Sequence, residues 1–128
     1  FPYTTLFRSD GSYSVVHVGL PYISDLATLP LSMEAPAGGQ GLRKNVNGVA
    51  MRVTQSSVVK AGPNFNELTE PPARDVTDLY DSPPALRTRE LRFDIAPDWN
   101  SDGQLCIRQD LPLPLTILSM AVDVAIGG

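Results

Sequence analysis

The chain has 128 residues with 10 basic against 14 acidic side chains, a net charge of −4 and a sequence pI of about 4.8, which leaves it without the basic footprint that phosphate neutralisation demands. A single cysteine, Cys106, excludes an internal disulfide and a cysteine-pair zinc site, and a single histidine, His17, excludes a multi-histidine one. Twelve prolines and ten glycines in a chain that is 42% hydrophobic point to short strands joined by turns, in one domain large enough for a real core. Apolar runs are too short to span a bilayer and no charged start leads into an apolar signal core, so a soluble, unsecreted protein is expected.

In chain order, Phe1–Ser9 has no initiator methionine and joins none of the later patterns. It resembles a translated sequencing adaptor and is read as a non-native leader, with 10–128 as a single β domain at the C-terminal end of a larger protein. Asp10-Gly11-Ser12 predicts a turn and Tyr13–Gly19 a first strand. Leu26, Leu29 and Leu31, interrupted by Pro30, predict an edge strand. Glycine-rich Met33–Leu42 predicts a loop. Lys44–Gln55 predicts a strand with Val49, Met51 and Val53 on one face and Ala50, Arg52 and Thr54 on the other. Val58 and Val59 come next as a short apolar pair, Ala61-Gly62-Pro63-Asn64 reads as a turn, and Phe65 and Leu68 as anchors for the segment after it. Thr69–Thr88 holds Pro71-Pro72 and Pro83-Pro84 with Asp75, Asp78 and Asp81 between them and predicts a long excursion that either lies on the surface or docks on a neighbouring subunit.

The last third is the most regular. Leu91, Phe93 and Ile95 alternate with Glu90, Arg92 and Asp94; Leu105 and Ile107 alternate with Cys106 and Arg108; Leu118, Met120, Val122 and Val124 alternate with Ser119, Ala121 and Asp123. With turn formers at Pro97–Gly103 between the first two, these read as a hairpin and then a three-stranded meander. The expected fold is all-β, mostly antiparallel and sandwich-like, with long proline-rich loops.

Few constellations could carry chemistry. Asp98, Asn100, Asp102 and Gly103 spell the opening of a calcium loop, D-x-N-x-D-G, but the closing position falls on Gln109 and not on a bidentate glutamate, so a plain turn is the competing reading. His17 with Ser12, Ser14, Ser24 and Asp25 can be written as a Ser/His/Asp set, yet no G-x-S-x-G elbow exists. Cys106, mid-strand, reads as a packed thiol. Gly38-Gly39-Gln40-Gly41 lacks the lysine and the helix of a phosphate loop. Arg43, Lys44, Arg52 and Lys60 form a modest basic cluster that reads equally as a solvated strand face or as a partner patch. No catalytic residue and no cofactor is expected.

Several segments together resemble the C-terminal part of the tail nozzle protein, or tail tubular protein B, of short-tailed bacteriophages. They are Val18-Gly19-Leu20-Pro21-Tyr22, Leu42-Arg43-Lys44 leading into a strand that ends near Arg52-Val53, Asp98-Trp99-Asn100-Ser101-Asp102-Gly103, Ile107-Arg108-Gln109, and Pro112-Leu113-Pro114-Leu115-Thr116-Ile117-Leu118. The chain departs from the family pattern at Leu86-Arg87-Thr88-Arg89 and at Ser56-Ser57-Val58. The resemblance, spanning about residues 16–128, implies a virion structural protein, made in the host cytoplasm, that forms a homo-oligomeric ring, commonly a hexamer. The ring would sit beneath portal and adaptor proteins, passing DNA without reading its sequence and without contacting a membrane. Asp78, Tyr80, Pro83, Pro84 and Arg87 are then the candidates for the subunit interface. The alternative is a β-sandwich binding module, for carbohydrate or calcium-dependent, with Trp99, Tyr80 and Tyr22 as stacking surfaces and calcium at Asp98, Asn100 and Asp102. Trp99 itself is expected to cap the end of the sheet.

Overall fold

The computed structural model describes residues 11–12, 14–16, 18–32, 41–72, 75–79 and 84–127. Seven strands lie among them: β1 Ser24–Ala27, β2 Lys44–Ser56, β3 Lys60–Asn64, β4 Glu67–Thr69, β5 Arg87–Asp94, β6 Cys106–Gln109 and β7 Ile117–Ile126. They form two sheets, one of order β1-β6-β3-β4 and one of order β5-β2-β7. Every pairing among them is antiparallel. The fold is all-β, as expected.

β2 is the axis of the second sheet. Its Met51 faces Leu91 on one side and Met120 on the other, and its Val49 faces Phe93 and Val122. Directly opposed residues share a face, so this ladder makes one apolar surface. Val46, Val49, Met51, Val53 and Leu91 of this sheet join Ala61 and Ile107 of the other, with Val59, Ile95 and Leu105 from the connections, in a single buried cluster. The two sheets therefore pack face to face in a sandwich-like arrangement.

Two irregularities keep β2 in phase with that core. Lys44 and Val46 point inward at even positions while Val49, Met51 and Val53 do so at odd ones, because Asn47 is an extra residue against β7 between the Val46 and Gly48 pairings. A second extra residue lies between the Val53 and Ser56 pairings with β5, where Gln55 takes a positive φ of 44° and donates its N–H to Thr88 Oγ1 at 3.0 Å. Ser56 is thereby turned inward. Its Oγ receives the Thr116 N–H at 2.8 Å.

Four expectations are corrected. The meander does not form: β5 and β6 lie in different sheets, because eleven residues (95–105) separate them, long enough to cross the sandwich, while β2 offers both of its edges to β5 and β7. The strand expected over Tyr13–Gly19 is absent among its described residues, and Val15, Val16 and Val18 are exposed; β propensity without a neighbour to pair with does not make a strand. Ala61-Gly62-Pro63-Asn64 is not a turn but most of β3, and its Gly-Pro step falls where the ladder with β4 skips between Ala61 and Asn64, a place where proline is tolerated. The turn comes one step later at Phe65-Asn66, with Asn64 Oδ1 accepting the N–H groups of Asn66 and Glu67. Finally, Leu118 does not share the inner face of Met120. It is the extra residue between the Ile117 and Ser119 pairings and is exposed.

The expected edge strand around Leu26 is present as β1, at the end of its sheet. The Met33–Leu42 loop lies outside the described residues except at Leu42 and Gly41, which has a φ of 93°.

β3 passes so close to β4 that a Cβ on Gly62 would lie 1.9 Å from the Glu67 carbonyl oxygen, whereas one on Gly48 would sit 3.5 Å from that of Phe93, an ordinary contact. Gly62→Ala is expected to destabilise the domain by about 2 kcal/mol or more, since backbone must move, and Gly48→Ala by much less. Met51, fully buried, should cost about 2–5 kcal/mol on truncation to alanine. Urea denaturation of the three variants checks the order.

Candidate functional site

Two groups of predicted residues can be placed, the Asp98–Gly103 loop and the cluster around Arg87. The loop comes after Ile95, whose N–H donates to Asn47 O, and it is organised from within. Asn100 Oδ1 accepts the N–H of Asp102 at 2.9 Å and that of Gly103 at 2.7 Å, the local closure that makes asparagine a turn former. Asn100 Nδ2 donates to Asp98 Oδ2 at 3.2 Å. The Asp98 N–H donates to Asn45 Oδ1 at 2.8 Å. Gly103 adopts a positive φ of 59° and lies against the Lys44 side chain, 3.2 Å from where its Cβ would be.

Lys44 is the peg beneath this loop. Its backbone exchanges two hydrogen bonds with Asn100, at 2.7 and 3.0 Å, and its ammonium donates to Ser101 O at 2.9 Å. It is almost wholly buried, so the accessible basic cluster expected of Arg43, Lys44, Arg52 and Lys60 is corrected at this position: the Asn47 bulge rotates Lys44 inward, and its apolar stem packs where a hydrophobic residue would. Of the calcium candidates Asp98, Asn100 and Asp102, the middle one has its oxygen turned onto the loop's own amides. The positions that would complete such a loop, Cys106 and Gln109, are buried on β6. Among the described residues, no group of three or more His, Cys, Asp or Glu side chains is placed to hold a metal ion.

Trp99 lies over Gly127, 3.1 Å from where a Cβ would be, and Gly127 N–H donates to Arg43 O at 2.7 Å. The ring covers that end of β7 only in part and stays 45% exposed, beside a hollow of about 470 Å³ lined by Gly41, Leu42, Arg43 and Gly127.

In the second group, Arg87 pairs with Asp75 at 2.7 Å and with Asp78, and Arg89 reaches Asp75 at 3.7 Å and Pro72 O at 3.4 Å. Asp75 and Asp78 close a turn on each other, Asp75 N–H to Asp78 Oδ2 at 2.9 Å and Asp78 N–H to Asp75 O at 3.0 Å. Pro84 lines a small, partly open hollow with Pro71, Pro72, Val58 and Arg87. Asp78 and Arg87 thus hold the stretch after β4 onto β5 of the same chain. Tyr80 and Pro83 lie outside the described residues.

His17 likewise lies outside them, and its supposed partner Asp25 is taken by Arg108 in a bidentate pair at 2.7 and 2.8 Å. Cys106 is buried; burial first, then the charge of Asp25, pushes its thiol above the usual range, which keeps it protonated and unreactive. Gly38, Gly39 and Gln40 lie outside the described residues.

A third constellation was not foreseen from the sequence. Asp25 on β1, Arg108 on β6 and Lys60 on β3 are cross-strand neighbours, and Lys60 bonds Asp110 at 2.5 Å and approaches Glu70 at 3.8 Å. Arg108 also lies over the Phe65 ring, 5.0 Å from its centroid. The charge row runs over β1, β6 and β3 and reaches Glu70 just after β4. The guanidinium hydrogen bond lowers the Asp25 carboxyl and the ammonium hydrogen bond lowers that of Asp110, while Lys60 and Arg108 are raised by the same bonds. The alternation of Arg108 and Asp110 is a hint in the sequence, but the partners depend on register.

Comparison of the chain with models of known protein families gives no match, and comparison with curated proteins gives none either.

Asp25 and Asp110 titrate below their ordinary range when folded, so what they contribute is present above the unfolded carboxylate pKa and lost as pH falls through the lowered values. The protection of the Leu26 and Ile107 amides, taken relative to intrinsic exchange at the same pH, should fall on acidification below about pH 4, and Asp25→Asn should show that lower protection already at neutral pH. Asn100→Ala unpairs two amides and should cost about 1–2 kcal/mol, read as a lowered urea midpoint.

Proposed function

We propose that this chain is a structural component of a bacteriophage tail, a ring-forming nozzle subunit that lines a DNA exit channel. The observation that supports this reading is where the resembling segments meet. The Leu42-Arg43-Lys44 entry and the Asp98–Gly103 loop are bonded through Lys44 and Asn100, and the Pro112–Leu118 segment is tied to the far end of β2 by Ser57 N–H to Pro114 O at 3.0 Å and Thr54 N–H to Thr116 O at 3.1 Å. Segments far apart in the sequence are thus consecutive supports of one long strand, the kind of shared framework that a family likeness in a scaffold protein would preserve.

Two general considerations support the same reading. Ring subunits join through edges and loops, and a net negative chain does not adhere to the polyanion passing through it. No chemistry is asked of the site.

Light scattering over a concentration series, with and without calcium, tests the reading on the 128-residue chain. A single fixed multiple of the monomer mass, indifferent to calcium, is expected. A monomer at every concentration contradicts it, and a calcium-dependent or glycan-dependent melting shift moves the assignment to the binding-module alternative.

A further inference from the structure

Of the five asparagines in the chain, Asn47 alone is followed by glycine. An asparagine side-chain amide is an electrophile within reach of the next residue's backbone nitrogen, and a glycine there, lacking Cβ, leaves that nitrogen unshielded. The other four precede Val46, Phe65, Glu67 and Ser101, whose side chains crowd it.

The fold adds three features at this pair. Asn47 is exposed although it lies within β2. It is the extra residue of the bulge, without a partner of its own on β7, so its backbone is held less tightly than that of a ladder residue. Its amide is also oriented by a short relay. Asn45 Oδ1 takes the Asp98 N–H at 2.8 Å, which leaves the Nδ2 end of Asn45 to donate to Asn47 Oδ1 at 2.7 Å. That bond draws electron density from Asn47 Cγ and leaves Asn47 Nδ2 without a partner among the described residues.

We infer that Asn47 is a modification site, at which the chain converts its own asparagine to aspartate and isoaspartate without an enzyme or a cofactor. The Gly48 nitrogen gives its proton to hydroxide and bonds to Asn47 Cγ. The Cγ–Nδ2 bond breaks, and ammonia leaves with a proton from water, closing a five-membered succinimide. Water then adds to one or the other carbonyl and reopens the ring as aspartate or as isoaspartate. Attack requires β2 to open locally at the bulge, so the conversion is slower than in a peptide of the same sequence. The chemistry is the same whether or not the chain belongs to a ring.

The position gives the modification its consequence. Isoaspartate routes the main chain through Cβ and Cγ, lengthening β2 at the residue that sets its phase. Residues 44–46 hold the loop at 98–103 through Lys44 to Asn100 and Asn45 to Asp98, and they lose their register, while residues 49–53 keep theirs. The new carboxylate also stands next to Gly48, which already faces Asp94 and Asp123.

Incubating the 128-residue chain at neutral and mildly alkaline pH, with peptide mapping by mass spectrometry, tests the site. Amide-to-acid conversion should accumulate at Asn47 ahead of the other four asparagines, rise with pH, and give two isomers. Gly48→Ala, whose Cβ meets an ordinary contact at 3.5 Å, should lose most of the conversion, and Asn47→Gln, whose ring closure is less favourable, should lose it without altering Gly48. In the isoaspartate fraction the Asp98 and Gly103 amides should lose exchange protection, with those of residues 49–53 unchanged. An Asn47 that stays intact in the folded chain while the matching peptide converts, or conversion that appears first at another asparagine, overturns the site. Isoaspartate that leaves the Asp98 and Gly103 amides protected overturns the consequence drawn for the bulge.

Discussion

The fold depends on β2 having a strand on each side. A strand thirteen residues long would be unstable alone, and even a two-stranded hairpin is marginal in water. With β5 along one edge and β7 along the other, every residue from Val49 to Val53 has a partner on both sides. The apolar ladder centred on Met51 then becomes wide enough to receive the second sheet, whose Ala61 and Ile107 complete the cluster. Everything else is attached to this arrangement: the Asp98–Gly103 loop hangs from Lys44 at one end, and the Pro112–Leu118 segment grips Ser56 and Ser57 at the other.

The bulges show how a mostly polar-looking strand can serve such a centre. A strict alternation through Lys44–Ser56 would place either the lysine or the valines in solvent. By adding one residue at Asn47, β2 keeps Val49, Met51 and Val53 in the core and also buries the Lys44 stem. The inward ammonium is then tolerable because Ser101 presents a carbonyl to it, a bond to a charged donor that offsets part of the desolvation. The loop is held by its neighbours and in turn holds them.

Much of this was legible in the sequence and some was not, for definite reasons. The strands at Lys44–Gln55, Glu90–Ile95, Gln104–Arg108 and Leu118–Val124 were readable from period-2 alternation, which depends only on local geometry. Their partners were not, since a meander and a two-sheet sandwich put the same residues on the same faces. Leu118 and Lys44 were misassigned because a bulge reverses phase without leaving a mark in composition. Gly62-Pro63 was misassigned because turn formers also mark irregular strand positions. At the candidate sites, the Asx closure at Asn100 was foreseeable from the D-x-N-x-D-G run. The Asp25–Arg108–Lys60–Asp110 row was not, because register alone brings together residues as far apart as Asp25 and Arg108.

The central claim is that β2 stands between β5 and β7, with β6 in the opposite sheet. Interstrand nuclear Overhauser contacts between backbone protons measure this directly. The arrangement described predicts contacts from Val49 to Phe93 and from Val49 to Val122, and from Leu26 to Ile107 in the other sheet. Backbone contacts between Phe93 and Ile107, as a hairpin of the two neighbouring strands would give, would contradict it.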